Sequence, residues 1–183
     1  MMKMLTSSTP KQDGFRMPAE FEEHEGCIIV WPQRPGSWSF GADAACAAFT
    51  AVIKAIAASE QVYVACDKRS KHWQRAERML AGLANVELLD IPTDDSWARD
   101  IGPTFVVQDT AEGRVVRGIN WRFNAWGGEV DGLILTTSRM MPLPLPLQRL
   151  RAMSCMRRRP LCLKGAPFMW MGRVRLWLPP PAY

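Results

Sequence analysis

Apolar residues in the first part of the chain form short continuous runs. Longer segments between them repeat apolar residues every three or four positions. Cys27-Ile28-Ile29-Val30-Trp31 is such a run, stopped by Pro32, the pattern of a buried strand. From Asp43, which can cap a helix, an alanine-rich segment carries Phe49, Val52, Ile53 and Ile56 on one face. Val62-Tyr63-Val64-Ala65-Cys66 reads as a second strand. Residues 68–83 read as an exposed helix with Trp73, Ala76, Met79 and Leu80 at roughly helical spacing. Residues 86–91 form a third expected strand, ended by Pro92. Residues 104–108 and 114–121 are expected to pair as a hairpin across 109–113. Strands alternating with helices over short connections predict a mixed α/β architecture, and there is no internal repeat.

Composition narrows the class. A chain of 183 residues with 48% hydrophobic and 22% charged residues has the length and balance of one soluble domain. No apolar run is long enough to span a bilayer, and the polar start lacks the apolar segment of a secretory leader, so a cytoplasmic location is expected. Cys27, Cys46, Cys66, Cys155 and Cys162 form no CxxC pair, and there are two histidines; reduced thiols are expected, and a metal site is not.

The net charge of +5 hides an asymmetry. Residues 1–133 hold 14 Lys/Arg against 18 Asp/Glu, whereas residues 134–183 hold nine Lys/Arg and no acid. The excess that would otherwise suggest nucleic acid or a membrane surface belongs to the tail alone. Two units are therefore expected: residues 1–133, which fold, and a basic Pro-, Met- and Arg-rich segment, 134–183, expected to be disordered.

Two segments carry candidate chemistry. Thr93-Asp94-Asp95-Ser96-Trp97-Ala98-Arg99-Asp100-Ile101-Gly102-Pro103 follows a strand end, where α/β proteins tend to place ligands. Carboxylates beside an aromatic suit a planar cation: Asp accepts parallel N–H bonds from a guanidinium, and Trp packs on its flat face. The plain alternative makes Asp94 and Asp95 loop caps, Trp97 core, and Arg99 the ion-pair partner of Asp100. In Asn120-Trp121-Arg122-Phe123-Asn124-Ala125-Trp126-Gly127-Gly128, aromatics beside a Gly-Gly bend suggest either a pocket wall or a packed hairpin end.

Gly14-Phe15-Arg16-Met17-Pro18-Ala19-Glu20-Phe21, followed by Glu25-Gly26-Cys27 and Trp31-Pro32, resembles the opening of agmatine deiminases. DDSWARDIGPTF at 94–105 and INWRFNAWGG at 119–128 also resemble that family, in matching order and spacing across 9–133. The resemblance implies a partial pentein fold, an α/β propeller of ββαβ modules, incomplete in this chain. It implies hydrolysis of agmatine to N-carbamoylputrescine and ammonia, a step of polyamine biosynthesis, without metal or organic cofactor. Relatives acting on peptidylarginine share much of the signature. The partner implied is a small guanidino substrate, with no nucleic acid and no membrane, and the full-length family can form homo-oligomers. Asp100 matches the carboxylate that grips the guanidinium, Trp97 a residue lining the pocket, and Asp94 an acid of the same motif. Asn124 and Trp126 match the aromatic segment near the pocket.

The family nucleophile is a Cys thiolate, with a His as general acid and base. The motifs that carry them are absent here, and neither Cys155 nor Cys162 lies in a matching context. After Leu133 the resemblance stops; the last 50 residues hold eight of the 14 prolines and six of the 11 methionines. The genetic code offers a reason. Shift the frame by one base and Trp170 must become Val, Met171 Asp and Gly172 Gly, while Met169 becomes His or Tyr. The missing family motif reads His-Val-Asp-Gly. A one-base slip between about Leu133 and Met140 is therefore expected, which would leave this chain a shortened, inactive product. The competing expectations are a peptidylarginine-deiminase-like guanidino hydrolase and, ranked well below it, a non-enzymatic basic module.

Overall fold

The computed structural model describes residues 3–5, 7–34, 37–38, 42–93, 95–121, 161–163 and 174–178. The backbone alone is described for 3–5, 120–121, 161–163 and 174–178. The described strands form two four-stranded sheets. In the first, β2 (Gly26–Val30), β3 (Gln61–Cys66) and β4 (Val86–Asp90) are parallel, with Cys27 opposite Val62 and Val62 opposite Val86. Parallel pairing needs crossovers, supplied by α1 (Ala42–Ala57) and α2 (His72–Leu80). Ile29, Trp31, Val62, Val64 and Cys66 pack with Cys46, Ile53 and Ala57 of α1 and Ala76 and Leu80 of α2. The opposite-facing Ile28, Val30 and Ala65 are equally buried. Burial on both faces is why these strands read as unbroken apolar runs rather than alternating ones.

The second sheet is antiparallel and is built on the hairpin of β5 (Thr104–Thr110) and β6 (Gly113–Trp121). Thr110 pairs with Gly113, so the turn is Ala111-Glu112 rather than the five residues expected; Gly113, which follows it, takes φ 121°, a conformation that favours glycine. Phe15 packs with Val106 and Ile119, and Arg16 exchanges backbone hydrogen bonds with Val107. Arg117 lies 3.9 Å from the Phe15 ring centroid and pairs with Asp13 at 2.7 Å. These contacts hold the segment before β2 against the hairpin.

Three expectations need correction. Val52, placed on the buried face of α1, is half exposed; the buried positions are Ala45, Cys46, Ile53 and Ala57. The second helix is shorter than 68–83, because the Asp67 carboxylate accepts the Arg69 N–H at 2.9 Å and its carbonyl the Ser70 N–H at 3.0 Å, holding a turn before it. After it, Gly82 takes φ 76°. The one-turn α3 (Ala98–Ile101) and β1 (Lys3–Leu5) were not anticipated.

Eight residues of the segment 134–183 carry sheet pairing. β7 (Leu161–Leu163) runs parallel to β2, with Cys162 opposite Cys27, and β8 (Val174–Leu178) lies between β6 and β1. No helix among the described residues is long and apolar enough to cross a membrane.

Candidate functional site

β2, β3 and β4 all point their C-terminal ends to one edge of the parallel sheet, and a buried polar network lies there. Gln33, 7% exposed, ties the three ends together. Its Nε2 donates to the Thr93 carbonyl beyond β4. Its Oε1 accepts from Cys66 Sγ at 3.7 Å, at the end of β3, and from Ser70 Oγ at 3.4 Å. A buried amide is stable only when both its ends are satisfied, so Gln33 fixes where the chain leaves β4.

The segment after β4 is pinned again at Asp95, which is buried. Its carboxylate accepts the Ser96 N–H at 2.8 Å, the Ser37 hydroxyl at 3.3–3.4 Å and the Arg34 guanidinium at 3.1 Å. Thr93 Oγ1 donates to the Asp95 carbonyl at 2.9 Å. The loop is thereby held from both sides before α3 begins at Ala98.

α3 sets Asp100. The Trp97 carbonyl accepts the Asp100 N–H at 3.1 Å and the Ile101 N–H at 3.2 Å, and the Ala98 carbonyl accepts the Gly102 N–H at 2.8 Å. Ala98 and Ile101 are anchored in the core, and Asp100 is carried inward with them to 4% exposure. Burying a carboxylate is costly unless a cation or several donors face it. Trp97 stands at the start of the turn, 41% exposed. Arg99 pairs with Glu20, which ties α3 to the segment before β2; the plain reading had paired it with Asp100.

Of the residues expected at the site, Asp100 and Trp97 are therefore brought to the same turn. Asp94, Asn124 and Trp126 lie outside the described residues. Gln33, Arg34 and Ser37 were not anticipated, and Asp95 was considered only as a loop cap. The signal available was that Gln33-Arg34 follows a strand end; only the topology brings it to Thr93.

No described cysteine with a resolved shift has the character of a nucleophile. Burial pushes the Cys66 thiol up to about 12 and raises that of Cys46. His72, which opens α2, has its pKa lowered by burial and by Lys71 and Arg75.

Comparison with known proteins identifies the family and the fold. Residues 16–165 match the family described as Porphyromonas-type peptidyl-arginine deiminase. A Selenomonas ruminantium protein, provisionally named an agmatine deiminase, is 52% identical over 133 residues, which is 71% of this chain and 34% of that protein. An agmatine deiminase of Pseudomonas aeruginosa is 47% identical over 133 residues, 73% of this chain and 34% of its own length. The solved structure of the Enterococcus faecalis agmatine deiminase superposes with a TM-score of 0.66 at 36% identity, covering 87% of this chain and 40% of that one. The chain thus spans about a third of the length of the curated relatives it matches (34%). Its fold is part of the pentein architecture those relatives share, as expected from the motifs.

Proposed function

The chain belongs to the Porphyromonas-type peptidyl-arginine deiminase family, and we propose that it carries the first part of the active site of an agmatine deiminase. The observation that supports this most is the burial of Asp100: a carboxylate only 4% exposed, carried by α3 on the segment after β4, with Trp97 on the same turn. In this reading Asp100 accepts two parallel N–H bonds from the agmatine guanidinium and Trp97 lines the pocket. By the same resemblance, Asp94, Asn124 and Trp126 belong to the substrate-binding segment. A cysteine thiolate then attacks the guanidinium carbon, ammonia leaves with a proton from a histidine, and water releases N-carbamoylputrescine from the thiouronium. Binding energy from the carboxylates holds that carbon in line with the sulfur. The reading carries with it a cytoplasmic enzyme supplying polyamine synthesis.

The remaining catalytic groups are proposed to lie in a shifted frame. The forced Val-Asp-Gly of residues 170–172, preceded by His or Tyr, supports a one-base slip between about 133 and 140. Segment 134–183 is on this view largely out of frame, and the chain as it stands binds a guanidino group weakly without turnover.

A second reading, hydrolysis of peptidylarginine, is favoured by the family's own description. The test is to restore the frame, express the continuous protein and measure ammonia release from agmatine and from an arginyl peptide. Agmatine is expected to be the better substrate. Asp100→Asn is expected to lower kcat/KM by on the order of 10²–10³-fold, the scale of losing one charge-stabilising contact. A preference for the peptide, or an unimpaired Asp100→Asn enzyme, would overturn the assignment.

A further inference from the structure

At the edge of the parallel sheet where β2 and β3 begin, opposite the end that carries Gln33, three ligand-type side chains converge. His24 Nε2 lies 2.7 Å from Glu60 Oε2, and the Cys27 sulfur, an imidazole nitrogen of His24 and a carboxylate oxygen of Glu60 all lie within 4.8 Å of one another. Cys27 is fully buried, while the His24 and Glu60 side chains keep 19% and 22% exposure. The floor of the cluster is therefore dry and its mouth is open to water.

Two further observations bear on what this cluster holds. The Glu22 carbonyl lies 2.8 Å from His24 Nδ1. A proton on Nδ1 would satisfy that carbonyl and leave the Nε2 lone pair aimed at Glu60 and Cys27. Outer hydrogen bonds of this kind orient histidines that ligate metals. At 2.7 Å the contact between His24 Nε2 and Glu60 is that of a hydrogen bond or ion pair, which an arriving metal ion displaces. Gly26 is the second observation. A Cβ there would sit 2.3 Å from the Gln61 carbonyl oxygen, so only glycine lets this stretch approach the start of β3 so closely. That approach is what carries His24 and Cys27 to Glu60, 36 and 33 positions further on.

We propose that His24, Cys27 and Glu60 form a binding site for Zn²⁺, which clamps the entry to β2 onto the start of β3. One imidazole, one thiolate and one carboxylate are a donor set zinc accepts, with water in the fourth place. Zinc bonds of about 2.0 Å to nitrogen and oxygen and about 2.3 Å to sulfur place tetrahedral donors roughly 3.3–3.6 Å apart. Glu60 Oε2, at 2.7 Å from Nε2, would move outward by about 0.6 Å to reach that separation. Binding releases the Cys27 thiol proton to solvent, and the dication is neutralised by the thiolate and the carboxylate. The site lies at the opposite end of β2 from the network around Gln33, so the clamp is structural and independent of the proposed reaction. The spacing of Cys and His along the chain carries no metal pattern; the fold assembles one.

The test uses the full chain, stripped with chelator and titrated with Zn²⁺ against a chromogenic competitor, then with Co²⁺. One equivalent is expected to bind tightly, and Co²⁺ is expected to give a thiolate charge-transfer band in the near ultraviolet that is lost in Cys27→Ser. His24→Gln and Glu60→Gln, at partly exposed positions, are each expected to weaken affinity by at least the roughly 10–100-fold that loss of an outer-shell partner costs. Circular dichroism separates loss of the site from loss of the fold. If Cys27→Ser unfolds, the other two variants decide. No stoichiometric binding, a cobalt band that survives in folded Cys27→Ser, or unchanged affinity in both His24→Gln and Glu60→Gln would each overturn the site. His24 and Glu60 would then be an ion pair alone.

Discussion

Arg34→Ala is expected to destabilise the fold through Asp95, without touching the core. The Asp95 side chain is 3% exposed and that of Arg34 34%, with 3.1 Å between nitrogen and oxygen. Two unit charges at that distance attract by about 5 kcal/mol at an effective dielectric of about 20, and by about 1 kcal/mol at that of water. A guanidinium one-third in solvent lies between these limits. Leaving a buried charge without its partner costs about 3–5 kcal/mol when both groups are enclosed; discounted for the exposure of Arg34, the loss should be about 2–3 kcal/mol. The Ser96 N–H and the Ser37 hydroxyl remain as donors, which keeps the figure below the fully buried case. Asp95→Asn removes the charge yet can keep the Ser96 bond, so it should cost only about 1 kcal/mol. The double variant should resemble Asp95→Asn, giving a coupling of about 2 kcal/mol. Urea unfolding followed by tryptophan fluorescence measures all three. A loss under about 0.5 kcal/mol for Arg34→Ala, the scale of a solvated surface pair, would refute the claim that this contact anchors the loop leading to Asp100.

Other expectations can be checked by the same unfolding measurements. Ile53→Ala empties a fully buried position among Ile29, Val62 and Val64 and should cost about 3–4 kcal/mol, whereas Val52→Ala, half exposed on the same helix, should cost under about 1 kcal/mol. Gly26→Ala forces a Cβ to within 2.3 Å of a backbone oxygen that cannot swing aside, so β2 and β3 must part and at least about 2 kcal/mol should be lost. Glu22, hydrogen-bonded by Arg16 and by the Ala19 N–H, has its pKa lowered from 4.5 to about 2. A depressed acid stabilises above its unfolded pKa, and that contribution fades as pH falls from about 4.5 toward 2. An acid titration of stability should therefore be flatter in Glu22→Gln over that window, and an unchanged slope would count against the pair.

How much of this could be read from sequence depends on the range of the interactions. β2, β3 and α1 were legible because strands buried on both faces are continuous apolar runs, and a sixteen-residue helix repeats its pattern several times. α3 was not, because one turn leaves no period to detect and owes its form to the pinned loop before it. Val52 fell on the wrong side because α1 turns small residues, Ala45, Cys46 and Ala57, toward the sheet; alanine carries too little hydrophobic signal to reveal that face. Asp100 and Trp97 were marked by motif. Gln33 was not, since its hydrogen bond to Thr93 spans 60 positions. The cluster at Glu60 escaped notice for the same reason.

The claim at the centre is that residues 1–133 carry one end of a guanidino-hydrolase site whose other groups lie one base out of frame. Sequencing the gene across codons 128–145 and onward past codon 172 tests it most directly. The account predicts a single inserted or missing base in that window, after which the restored frame reads His-Val-Asp-Gly at codons 169–172 and continues to a cysteine-bearing motif. A gene whose shifted frame past that window fails to read His-Val-Asp-Gly, or meets a stop before any cysteine-bearing motif, would contradict it.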